Sequence, residues 1–95
     1  MSDIDFFENM VCNFLSDQNW MGDLFRSRMA EDRPGEVELV KSALDRARRG
    51  EITMVQFNRW TELDLETDHE YRRYIDQLDA FLFAGGAAPT TLVDG

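Results

Sequence analysis

Six consecutive residues, Ile52-Thr53-Met54-Val55-Gln56-Phe57, constrain this chain more than any other stretch. Thr53 and Gln56 have the spacing of a capping box, in which each side chain satisfies a backbone N–H that the first helical turn leaves without a partner. Ile52 before the cap and Phe57 four residues after it fit the accompanying hydrophobic staple. Just upstream, Arg46, Arg48 and Arg49 suit the negative end of a helix dipole, and Gly50 suits the left-handed residue past its end. One helix must therefore stop and another start within a few residues. The result is a tight turn between packed helices, which a long coiled coil does not accommodate.

The flanking segments repeat the helical period. Ser2-Asp3-Ile4-Asp5 reads as a helix start, followed by Phe7, Met10, Val11, Phe14 and Leu15 on one face. Ser16-Asp17-Gln18-Asn19 interrupts that pattern with residues that favour caps and turns, which predicts a break near 16–19 over one long bent helix. Met21, Leu24, Phe25 and Met29 then resume it. Asp32-Arg33-Pro34-Gly35 ends this second helix, and Val37, Val40, Leu44 and Ala47 mark a third over about 35–49. Met54, Phe57 and Trp60 mark a short fourth. Thr67-Asp68-His69-Glu70 is a second capping box, launching the most regular amphipathic stretch: Tyr71, Tyr74, Ile75, Leu78, Phe81 and Leu82. Gly85-Gly86 closes it. The expected fold is all-α, a compact bundle of four to five short helices over residues 1–86, with residues 87–95 as a flexible tail.

At 95 residues and 43% hydrophobic composition, the chain has enough apolar material for one core without a metal or disulfide. A lone cysteine, Cys12, fits a reducing compartment. The acidic N-terminus lacks the basic region of a leader peptide, and no apolar run approaches the roughly 20 residues of a membrane span. The expectation is a cytoplasmic protein with no membrane association.

Net charge is −9, and it is distributed unevenly. Residues 1–32 carry seven acids and two bases, and residues 50–70 carry six acids and one base. Between them, residues 33–49 carry five bases and three acids. Such a balance disfavours direct contact with nucleic acid, which needs cations against phosphates, and favours a protein with a basic surface. A helix-turn-helix reading, with Gln56, Asn58 and Arg59 as the reaching residues, runs against this charge.

The sharpest constellation is Glu62, Asp64, Glu66, Asp68 and Glu70, five carboxylates in nine residues. An EF-hand template started at Asp64 puts His69 where the tight-turn glycine belongs and Ile75 where the bidentate glutamate belongs, so no metal site is expected. Because acids alternate with Leu63 and Leu65, an extended backbone would turn the leucines to the core and the acids outward. That makes an acidic face, either simply solvated or a contact surface for a basic partner. His69 is the one histidine, on a first helical turn where side chains are usually exposed, and Cys12 reads as a core-facing or boundary residue; no nucleophile motif, phosphate loop or cofactor fingerprint surrounds either. No catalytic residue and no cofactor is expected.

Phe6, Trp20 and Phe83 fall off the helical stripes and are candidate docking aromatics. The chain thus reads as a non-enzymatic regulator or inhibitor of a basic-surfaced, nucleic-acid-handling protein, of a size and composition common among viral and mobile-element products. The alternative is an assembly adaptor or self-associating subunit docking through aromatic and methionine side chains.

Overall fold

The computed structural model describes residues 2–16 and 19–89. Five helices follow one another: α1 (Asp3–Phe14), α2 (Gly22–Ala30), α3 (Glu36–Arg48), α4 (Met54–Thr61) and α5 (Asp68–Phe83). The break between α1 and α2 is a minimal antiparallel ladder, β1 (Leu15–Ser16) against β2 (Asn19–Trp20), in which Leu15 pairs with Trp20. The Met21 N–H continues it by donating to the Phe14 carbonyl at 2.7 Å. Asp17 and Gln18, at the centre of the expected break, lie outside the described residues, as do residues 90–95 of the expected tail; within that tail, Pro89 is buried.

The ends of the helices follow from their sequences. Ser2 Oγ accepts from the Asp5 N–H at 3.1 Å and starts α1. Both halves of the Thr53–Gln56 capping box form. At the second box the Thr67 hydroxyl accepts the Glu70 N–H at 3.1 Å, but Glu70 returns its carboxylate to the Thr67 hydroxyl rather than to the backbone. Gly50, with φ of 82°, follows α3 in the left-handed conformation that a side chain would resist.

α1 lies chiefly against α3, and α2 and α3 lie against α5. Phe57 joins the layers: its ring stacks with Phe7 of α1 at 6.4 Å and meets Tyr71 and Tyr74 of α5 at 5.4 and 5.5 Å. The expected face of α5 is buried at all six positions.

Three side chains depart from their expected places. Phe6 is buried, because α1 is covered by neighbours on more than one side and buries Phe6, Phe7, Met10 and Val11 together. Cys12 is exposed: it falls one turn beyond Glu8 on the solvent side of α1, away from that face. Leu24 is 54% exposed, since α2 turns Gly22, Phe25 and Met29 inward.

Gly22 has a specific reason to be glycine. A Cβ there would collide with the Trp20 ring, which folds down over the start of α2. Trp20 also packs against Phe81 of α5 at 6.1 Å, so this contact ties the β-ladder to the last helix.

Candidate functional site

The acidic segment begins where α4 stops. Thr61, buried, donates its hydroxyl to the Phe57 carbonyl at 2.8 Å and accepts the Leu63 N–H at 3.2 Å. Glu62 takes a left-handed φ of 61° and donates its N–H back to the Asn58 carbonyl at 2.7 Å. These contacts end the helix and aim the chain back along it.

Asn58 then holds the returning backbone in place. Its carboxamide oxygen accepts the Leu65 N–H at 3.2 Å, and its amide nitrogen donates to the Leu65 carbonyl at 2.9 Å. One side chain thereby satisfies both backbone groups of Leu65, as a neighbouring strand would. Leu65 is buried and Leu63 half-buried, while Glu62, Asp64 and Glu66 are exposed. The alternation expected of an extended piece is therefore present over 62–66.

Beyond Thr67 the geometry changes. Asp68 and Glu70 belong to the first turn of α5, near the positive end of its dipole, so the five carboxylates do not continue one straight row. Asp68 is exposed and Glu70 half-buried. Among the described residues no three His, Cys, Asp or Glu side chains are grouped so as to hold a metal ion. No lysine or arginine occurs between Arg59 and Arg72.

The arginines of α3 are committed elsewhere. Arg48 bonds Asp76 at 2.8 Å and Asp79 at 2.6 Å on α5, and Asp45 at 3.2 Å on its own helix. Those hydrogen bonds push the Arg48 pKa up, Asp79 contributing most. Arg46 bonds Glu51 at 2.9 Å and Asp3 at 2.7 Å, and Arg49 bonds Glu51 at 3.0 Å. Asp3, which also accepts the Ser42 hydroxyl at 2.6 Å, ties α1 to α3; Ser42 above all, and Arg46 with it, hold the Asp3 carboxyl below its ordinary range.

Of Gln56, Asn58 and Arg59, the polar residues that a DNA-reading helix would extend, the first two are occupied by the capping box and the Leu65 clamp, and Arg59 is exposed. His69 is exposed on α5. Partial desolvation of its sulfur against the helix, with Glu8 adding to it, raises the exposed Cys12 thiol above its usual value and so disfavours the reactive thiolate. A cleft of about 340 Å³ between the α3–α4 turn and α5, and a groove of about 780 Å³ beside α1, are lined by neither His69 nor Cys12.

Of the candidate aromatics, Phe6 belongs to the core and offers no surface. Trp20 is 41% exposed over Phe81. Phe83 is half-buried, with the Lys41 ammonium 5.0 Å from its ring centre. Sequence reasoning missed Asn58 as a positioning residue, because a pairing with a backbone seven residues ahead has no periodic signature. It missed the Asp3–Ser42–Arg46 network for the same reason.

Compared with known proteins, the chain matches no family model, no curated protein and no solved structure.

Among the described residues, no helix is long and apolar enough to cross a membrane.

Proposed function

We propose that this protein is a non-enzymatic protein-binding module that regulates or inhibits a partner with a basic, nucleic-acid-handling surface. The observation that carries this reading is the acidic edge at Glu62, Asp64 and Glu66, exposed, on a backbone anchored by Leu65 and the Asn58 clamp, and without a lysine or arginine from 60 to 71. Carboxylates on a backbone fixed before binding lose less conformational freedom when they meet a cationic surface than carboxylates on a mobile loop. Asp68 and Glu70 extend the negative region around the start of α5. Net charge of −9 adds long-range attraction for a basic partner and repels nucleic acid itself. The size and acidity accord with a viral or mobile-element product acting in the cytoplasm, where competition with phosphate for a positive groove would be its mode of inhibition.

The experiment is affinity capture from a lysate of the native cell, eluted by rising salt, with the wild type and the E62Q/D64N/E66Q variant side by side. The expected result is a nucleic-acid-binding protein released at moderate salt and poorly held by the variant. Retention of the same partner through high salt, or equal retention by the variant, overturns the reading.

One observation favours a second reading, an assembly subunit: Trp20 at the end of β2 and Leu24 in the first turn of α2 are 41% and 54% exposed. Docking there would resist salt, and light scattering would detect self-association if the partner were a second copy.

A further inference from the structure

We infer that the partner meets the edge at 62–66 as an added β-strand: an extended segment with lysine or arginine at alternate positions, hydrogen-bonded to the main chain of Asp64 and Glu66. The inference rests on the acidic-edge reading and names the form of the partner. The Asn58 carboxamide takes both the N–H and the C=O of Leu65, so these groups point at α4. In an extended chain the main-chain groups of successive residues point to opposite edges, so those of Asp64 and Glu66 point away from α4. Thr67, next in the chain, is itself extended, with φ of −131° and ψ of 154°. Among the described residues, no backbone or side-chain group bonds the N–H or the C=O of Asp64 or Glu66. Both residues are exposed. Each thus offers a donor and an acceptor along one open edge, and such an edge is a template for a further strand.

Charge selects the occupant. The residues with the open main chain carry two of the edge carboxylates, and Glu62 precedes them with a third. Among the described residues, none of the three is in an ion pair. A strand laid along this edge sets alternate side chains beside those acids, where opposite charges attract and like charges repel. A second copy of this chain, pairing edge to edge, would set acid against acid. A basic helix could meet the carboxylates, but along its length its own main-chain groups are already bonded within it and leave Asp64 and Glu66 without partners. An extended basic segment satisfies the main chain and the charge together.

The test is a titration of the full chain with a peptide of about seven residues, an ordinary strand length, alternating lysine and threonine. Amide hydrogen exchange resolved at single residues reports the pairing. In the free protein Leu65 should exchange slowly, because Asn58 already holds it, and Asp64 and Glu66 fast. The expected result is that the bound peptide slows Asp64 and Glu66 roughly tenfold or more and leaves Leu65 nearly unchanged. Two control peptides carry N-methyl groups, one on the lysines and the other on the threonines. Only one edge of a strand faces its neighbour, so one control should bind roughly tenfold more weakly and the other like the parent peptide. The inference is overturned if the parent peptide does not bind, if the two controls bind alike, or if Asp64 and Glu66 exchange as fast in the complex as in the free protein. Unchanged exchange at both residues, with binding still weakened in E62Q/D64N/E66Q, would overturn strand addition and leave the acidic-edge reading standing. Equal binding of the parent peptide by that variant and by the wild type would overturn both.

Discussion

Two residues bear unusual weight for their size. Asn58 gives both halves of its carboxamide to the backbone of Leu65. Removing it leaves one donor and one acceptor without partners at a partly buried position, which typically costs about 1–3 kcal/mol. Asn58→Ala should lower the urea midpoint accordingly, and it should also weaken partner capture although every carboxylate remains; unchanged capture would mean that charge matters without its placement. Gly22 opposes ordinary propensity. Alanine there gains about 1 kcal/mol of helix stability in isolation. Here its Cβ collides with the Trp20 ring, and displacing that ring from Phe81 costs more than propensity returns. Gly22→Ala should therefore destabilise the protein and shift its tryptophan fluorescence. A more stable variant with unchanged emission would show that the ring moves aside freely. Titration adds two further expectations. Asp3 and Glu36 have folded pKa values below their unfolded ones, so the stability they contribute is present above the ordinary carboxylate range and is lost as pH falls through the folded values. Tyr71 runs the other way: burial, and then Asp68, raise its pKa while its hydroxyl donates to the Ile52 carbonyl at 2.6 Å. Its contribution is complete below about pH 10, the ordinary tyrosine value, and declines as pH rises beyond it. Denaturation midpoints measured across pH should fall on both sides, and Tyr71→Phe should remove the alkaline decline.

Whole elements were legible where a period or a cap specified them. The face of α5, the capping box of α4 and the turn at Gly50 could each be read from local sequence, because each is set by residues within one or two helical turns. The alternation of acid and leucine over 62–66 also declared itself. What the sequence did not reveal was tertiary. A period assigns a face but not its width, so Phe6 read as an outlier until α1 proved to be covered by several neighbours. Leu24 read as core until α2 turned Gly22, Phe25 and Met29 inward instead. The interruption at 16–19 was visible as a break, but the ladder pairing Leu15 with Trp20 was not, because two-residue strands leave no alternation to detect. The same scale gives a prediction for α3 and α5. Arg48 joins them through Asp76 and Asp79, and Arg48→Met would leave those two acids and Asp45 facing one another without their shared cation. Their mutual repulsion should make the variant markedly more salt-stabilised than the wild type in thermal melts.

At the scale of the molecule, negative charge and fold are arranged together. Arg46 and Arg48 of α3 close internal ion pairs with α1, α5 and the α3–α4 turn, and the edge at 62–66 is left exposed beside no basic residue in its own stretch of chain. A placed edge and a large net charge would attract a basic partner differently, and a binding titration over several salt concentrations separates the two. Against the captured partner, the slope of log affinity on log salt should flatten for E62Q/D64N/E66Q. It should stay near the wild-type slope for E8Q/D32N/E38Q, which removes as many exposed acids from elsewhere on the surface. Equal flattening by both triple variants would mean that the partner senses only the total charge of this protein and that the edge at 62–66 has no special part in binding.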